Sequence, residues 1–234
     1  MSLRDKSKAS KKEEATTTTE EKAQEEEAGK VVVKESSSPA LLSEHSVFIA
    51  NPMFIEAVQN ASYGTFPSVT ANNGTHMAGE NDLGKVLKFQ AIISNNVVKV
   101  IPGSNDEEAK EFFAVSADGE FVKDGRSVQE AVQDAKDAGY EKASAKDYVD
   151  VICIITECDN PDFVNETVTL QLAPTSIYTW RQLEGRCKMQ AALKKLVSSP
   201  VMGDEGLGMA VVFTSTATPT SWKGNSFTKF VFSI

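Results

Sequence analysis

Residues 86–101 read VLKFQAIISNNVVKVI, and the fold class turns on how this stretch is divided. In its first half Leu87, Phe89, Ala91 and Ile93 fall on one side of an extended chain, with Lys88 and Gln90 on the other. That is the two-residue period of a half-buried strand. Val97-Val98-Lys99-Val100-Ile101 continues in the same style until Pro102-Gly103 stops it. Asn95 and Asn96 stand between the halves. Asparagine tolerates positive φ, so the reading is a tight hairpin between two short antiparallel strands.

Upstream, Val47-Phe48-Ile49 reads as a short strand before Pro52. Residues 63–84 hold Gly64, Pro67, Gly74, Gly79 and Gly84, and Asn72-Asn73-Gly74 is a turn signal, so this stretch reads as irregular surface loop. Phe66 and Val69, flanking Pro67, mark the one place in it for a short strand. Downstream, residues 112–116 and 120–122 suggest a second hairpin around Asp118-Gly119. A helix follows with clear punctuation: Ser127 and Glu130 have capping-box spacing, Val128, Ala131, Val132 and Ala135 form its apolar stripe, and Gly139 closes it. YVDVICII (148–155) suits a central strand covered on both faces. Thr167 to Leu172 alternates with Val168, Leu170 and Leu172 inward, Pro174 to Val197 reads as helix, and Met209 to Phe213 and Phe227 to Phe232 are the last strands, joined by a Thr-, Ser- and Pro-rich loop. The expected class is α+β, mainly antiparallel β: six to eight strands in hairpin order with one or two inserted helices. A partly closed barrel fits this order, and an open sandwich is the alternative. Strands do not alternate regularly with helices, which argues against a doubly wound parallel sheet.

The 234 residues carry a formal charge of −9, divided unevenly. Residues 1–38 hold 8 basic and 9 acidic side chains, residues 39–158 hold 9 and 18, and residues 159–234 hold 7 and 6. The first segment has almost no apolar side chains before Val31, Val32 and Val33. Such a chain does not offset the roughly 1–2 kcal/mol per residue that ordering costs, so 1–38 is expected to be a disordered charged tail and 39–234 a single β-rich domain. The tail serves either as an interaction segment or as a solubilising leader. The start is polar and basic with no apolar stretch behind it, so no secretory signal is expected. No apolar run approaches the roughly 20 residues of a membrane-spanning helix, and a cytoplasmic location (the host's, for a viral protein) with no membrane partner is expected.

No phosphate-binding loop is present, and Gly203, Gly206 and Gly208 have the wrong spacing for a dinucleotide fingerprint. His45 and His76 sit in polar, loop-like contexts and read as surface imidazoles. Cys153 and Cys187 read as core thiols, Cys158 has no partner at metal-ligand spacing, and three cysteines without pattern suggest a reducing compartment. The carboxylates Asp106, Glu107, Glu108 and Glu111 near a turn read as solvated surface. No catalytic residue, metal or cofactor is expected. An enzyme built from scattered acids such as Asp147, Asp150 and Glu157 is the weakest reading.

The last third is more informative. On a helix from Ser176, Ile177, Trp180, Leu183, Cys187 and Ala191 share one side, while Arg181, Lys188 and Lys195, spaced by seven, form a second stripe. From Trp180 to Val197 there are five basic residues and one acid, Glu184. A second cluster, Trp222-Lys223-Gly224-Asn225, precedes Phe227, Lys229, Phe230 and Phe232. On a strand, Phe227 and Lys229 share one face and Phe230 and Phe232 the other. Rings interleaved with ammonium groups let bases stack at about 1–3 kcal/mol each while phosphates track the cations. With Lys88 and Lys99 from the earlier strands, the expected nucleic-acid-binding set is Lys88, Lys99, Trp180, Arg181, Lys188, Lys195, Trp222, Lys223, Phe227 and Lys229. The plainer reading puts Trp180 and Phe230 in the core and leaves the basic stripe as an ordinary solvated face.

This layout resembles the single-stranded DNA-binding proteins of tailed bacteriophages, built on an elaborated OB barrel. The resemblance rests on the hairpin at Asn95-Asn96, the inserted helix from Ser127 to Gly139, and the aromatic and basic close SWKGNSFTKFVF (221–232). It implies an OB-like barrel over residues 46–234 and non-catalytic, sequence-independent coating of single-stranded DNA in phage replication or recombination. RNA is an equal ligand where stacking alone decides. Replication or recombination proteins would be recruited through the tail, and homo-oligomers are left open. Many such proteins carry an acidic tail at the C-terminus, whereas here the flexible charged segment is N-terminal. A virion structural or decoration protein is the alternative, since a capsid arm has the same low-complexity character.

Overall fold

The computed structural model describes residues 46–103 and 112–234. The expected tail, His45 and the carboxylates at 106–111 lie outside them. Three helices accompany a sheet that is antiparallel but for one pairing: α1 (Pro52–Asn60), α2 (Val128–Asp137) and α3 (Pro174–Ala192). The strands are β1 (Ser68–Asn72), β2 (Thr75–Ala78), β3 (Asn81–Asp82), β4 (Val86–Ile101), β5 (Ala114–Ser116), β6 (Ser144–Glu157), β7 (Thr167–Leu172), β8 (Ser199–Val201), β9 (Asp204–Ala210), β10 (Phe213–Trp222) and β11 (Asn225–Ser233). The sheet order is β11-β10-β4-β6-β7-β1-β2-β3, with β5 also on β4 and a separate β8–β9 hairpin. Among the described strands β1 and β7 are the one parallel pair, beside an isolated parallel bridge Ser46↔Ala210.

The decisive stretch is one strand rather than a hairpin. β4 continues through Asn95 and Asn96, neither of which has positive φ. The cause is tertiary: β6 is long enough to pair with both halves, and its ladder runs from Lys88↔Glu157 through Asn95↔Asp150 to Ile101↔Ser144. An irregularity between Ala91 and Ile93 shifts the alternation, so Ile93 packs opposite to Leu87, Phe89 and Ala91. Gln90, expected on a polar face, is fully buried. Its Nε2 donates to the carbonyls of Ser199, Pro200 and Ala210, and its Oε1 accepts from Met202 N, which fastens the β8–β9 hairpin over β4.

Residues 63–84, read as loop, contain β1, β2 and β3. The turn signal was correctly placed: Asn73 (φ 47°) and Gly74 (φ 83°) close the β1–β2 hairpin. The expected hairpin around Asp118 is likewise only half formed. β5 pairs with β4, whereas the second arm makes a single bridge, Phe121↔Ser127. The presumed terminal loop is strand β10. Helix α2 carries its capping box as read, with Glu130 N donating to Ser127 Oγ and Ser127 N to Glu130 Oε2.

The inner face of the sheet, carrying Leu87, Phe89, Val151, Cys153, Leu170 and Phe232, encloses Trp180, Leu183 and Cys187 of α3. The outer face carries Ile92 and Ile154 under α1 and the β8–β9 hairpin. A third cluster seats α2 on the far end of β4 through Val100, Ala131 and Ala135. No backbone ladder joins the two ends of the sheet among the described residues. Side chains bridge them instead. Gly74 N donates to Thr228 Oγ1 at 3.0 Å, and His76 reaches from β2 to β10. His76, expected at the surface, is fully buried and stacked 5.1 Å from the Phe230 ring. Its Nδ1 lies 2.9 Å from Gly84 O and its Nε2 2.9 Å from Ser215 Oγ. A carbonyl only accepts, so Nδ1 carries the proton and Nε2 accepts from the serine hydroxyl.

Candidate nucleic-acid interface

β10 and β11 form a ribbon paired from Thr214↔Ser233 to Trp222↔Asn225. Alternation places Phe213, Ser215, Ala217, Phe230 and Phe232 in the interior. The opposite face therefore presents Thr214, Thr216, Thr218 and Thr220 from β10, with Phe227, Lys229 and Val231 beside them on β11. Thr218 lies opposite Lys229, Thr220 opposite Phe227, and Thr214 opposite Lys88 of β4. At the tip, Lys223 (φ 50°) and Gly224 (φ 81°) make the reversal and leave Trp222 63% exposed. The Lys223 ammonium sits 4.3 Å from the Trp222 ring centroid, a cation–π contact that leaves the other ring face to solvent. No Asp or Glu occurs between residues 206 and 234, in a chain that carries 33 of them. Lys88 itself is paired with Glu157, whose carboxylate accepts from it at 2.6 Å, with both side chains exposed.

Five of the ten expected residues share this surface: Lys88, Trp222, Lys223, Phe227 and Lys229. Two lie in the interior and correct the reading. Trp180 is fully buried on the inner stripe of α3; its Nε1 donates to Ser94 Oγ, and its ring meets those of Phe213 and Phe232 at 5.1 Å. Lys99 has zero exposure. Its Nζ donates to Asp150 Oδ1 at 2.8 Å and lies 4.4 Å from the Phe112 ring centroid and 5.0 Å from that of Tyr148. Burial pushes the Lys99 ammonium down and the Asp150 carboxyl up from their ordinary values, and their mutual contact opposes both shifts.

The remaining three belong to α3 and its exit. Arg181 donates to Asn96 Oδ1, and Lys188 pairs with Glu184 one turn earlier. Lys195 lies past the end of the helix, where Lys194 (φ 53°) redirects the chain, so the heptad stripe ends at Lys188. α3 packs on the inner side of the ribbon: Ser176 Oγ accepts from Phe230 N and Thr179 Oγ1 donates to Phe230 O. Its cations thus face away from the surface that carries Lys88 and Lys229.

Sequence reading also missed Tyr63, Phe121 and Tyr178, exposed rings that border clefts around the Asp118 turn. Tyr63 lies in a turn, Phe121 at an isolated bridge and Tyr178 on α3 outside its buried stripe, so none carried a periodic signal, although Asp150 within YVDVICII, a charge in an otherwise apolar strand, was visible. Cys153 and Cys187 are buried and Cys158 half-buried, and burial raises all three thiols. No group of three or more His, Cys, Asp or Glu suited to a metal ion occurs among the described residues, and no described helix is long and apolar enough to cross a membrane. No protein-family model, curated protein or solved structure matches the chain.

Proposed function

We propose that the protein binds single-stranded nucleic acid, without catalysis, along the outer surface of the β10–β11 ribbon and the Lys88 end of β4, and that this ribbon does not read sequence. The role that suits such a surface is the coating of unpaired strands in replication or recombination, and the curled sheet with side-chain-bridged ends is read as an OB-like barrel left open. The observation that carries this reading is the co-facing, fixed by strand register, of Trp222, Phe227, Lys229 and Lys88 with four threonine hydroxyls in an acid-free stretch. Rings take the bases, ammonium groups take the phosphates, and hydroxyls supply further phosphate donors.

Fluorescence polarisation of a labelled oligothymidylate over a salt series tests it. Each lysine engaged with a single strand contributes about −0.7 to the slope of log affinity against log salt, so Lys88, Lys223 and Lys229 together predict a slope of about −2. Trp222→Ala weakens binding roughly 5- to 100-fold, the range expected for one lost stacking contact. Lys229→Ala makes the slope shallower by about 0.7. Absence of binding at low salt, or unchanged affinity in both variants, would refute the assignment.

A further inference from the structure

A cleft of about 800 Å³ opens on the same outer face of β4, between the loop that follows α1 and strands β4 and β6. It starts about 17 Å along β4 from Lys88, at roughly 3.3 Å per residue, with the β8–β9 hairpin covering Gln90 between the two. One wall is apolar, formed by Phe66, Ile93 and Ile152. Asp150 and Asn95, direct partners across the β4–β6 ladder, both line it. The Asp150 side chain is 6% exposed. Its Oδ1 is taken by Lys99, while Oδ2 makes no hydrogen bond and is covered from solvent, with the Tyr63 phenol beside the carboxylate. The other carboxylate at the rim, Asp118, is occupied, because its Oδ1 accepts from Ser116 Oγ, Glu120 N and Phe121 N. One free carboxylate oxygen is too few to hold a metal ion, which takes several oxygen ligands. It suits an N–H donor.

We propose that this cleft takes a flat heterocycle bearing an exocyclic amino group, with the Tyr63 ring over its face, the amino N–H donating to Asp150 Oδ2, and the neighbouring ring nitrogen accepting from the Asn95 amide. Cytosine presents that donor–acceptor order at N4 and N3, whereas thymine presents an acceptor at O4 and meets the carboxylate with repulsion. Asn95 and Asp150 stand side by side because cross-strand partners hold their Cβ atoms about 5 Å apart. Oδ2 is covered in this arrangement, so the half-exposed Tyr63 must swing outward to admit the ring before stacking on it. The base comes from the bound strand, so the proposal rests on the single-strand reading; a free nucleoside offers the same chemistry.

Oligodeoxycytidylate and oligothymidylate of equal length, titrated at pH 7.5, test the pocket. The native protein is expected to favour the cytidine oligomer about fivefold, and Asn95→Ala and Tyr63→Ala to abolish that preference while leaving thymidine affinity unchanged. Asn95→Ala leaves the Lys99–Asp150 pair untouched, whereas Tyr63 borders both members, its ring centroid 5.8 Å from Lys99 Nζ, so urea unfolding is compared for each variant and Asn95→Ala carries the test where Tyr63→Ala does not fold. A preference that survives both variants overturns the proposal. Free cytidine and thymidine, followed by NMR at the Asn95 side-chain amide, separate the two sources. Equal oligomer affinities, or no oligomer binding at all, with a cytidine-specific shift assign the cleft to a free nucleoside. The same results without that shift overturn it, and failure of every oligomer counts separately against the ribbon.

Discussion

Lys99 keeps a charged side chain at zero exposure because Asp150 and the rings of Tyr63, Phe112 and Tyr148 replace its water. Removing one member of such a pair leaves the other buried and uncompensated. Lys99→Met is therefore expected to lower stability by about 3–5 kcal/mol in urea unfolding, and Lys99→Met combined with Asp150→Leu to recover much of the loss. An equally low midpoint in the double variant would show that the aromatic packing, rather than the lone charge, sets the cost. His76 gives a pH signature. Burial is the largest influence on it and holds its pKa below the ordinary 6.5, outweighing the Gly84 carbonyl and Asp82, which act the other way. Between the two values the unfolded chain binds the proton and the folded one does not. The stability that His76 contributes is complete above pH 6.5 and is lost progressively as the pH falls from there towards the lower folded-state value. Thermal unfolding between pH 8 and 5 is expected to show a steeper decline for the native protein than for His76→Gln.

Among the elements, α2 and α3 show two ways of finishing a helix N-terminus. α2 satisfies its first amides locally through Ser127 and Glu130. Ser127→Ala should cost about 1 kcal/mol, and circular dichroism melting should register it as a fall of a few degrees. α3 has no side-chain cap at Ala173 and begins instead with Pro174 at its first position, where a missing N–H loses nothing. Its hydroxyls Ser176 and Thr179 turn outward to the backbone of Phe230, so the helix fastens the edge strand β11 and holds the ribbon's aromatic side inward. That contact decides which face of β11 reaches solvent.

At the scale of the molecule, an anionic chain segregates its charge by face as well as by sequence position. The helix carrying Arg181 and Lys188 lies on the inner side of the ribbon, and the acid-free strands turn Lys88, Phe227 and Lys229 the other way. Simultaneous replacement of Arg181, Lys188 and Lys195 by alanine is accordingly expected to leave oligonucleotide affinity unchanged in the polarisation assay. A loss matching that of Trp222→Ala would mean that the strand follows α3 and that the ribbon is not its main support.

The sequence by itself determined the elements whose signals are local. The capping box at Ser127, the apolar run 148–155, the alternation in 167–172 and the Asn73-Gly74 turn all depend on side chains a few residues apart, and each formed as read. It also determined that Phe227 and Lys229 share a face opposite Phe230 and Phe232, since strand alternation needs no partner. Tertiary structure alone decided the rest, because a residue's burial depends on what the distant chain lays over it. Asn95 and Asn96 stayed extended once β6 paired along the whole of β4. Gln90 and His76 went inside because carbonyls and a hydroxyl from 100 or more residues away were there to receive them. Lys99, which looked like a surface cation, became an interior one because the Asp150 carboxylate lies 2.8 Å from its ammonium.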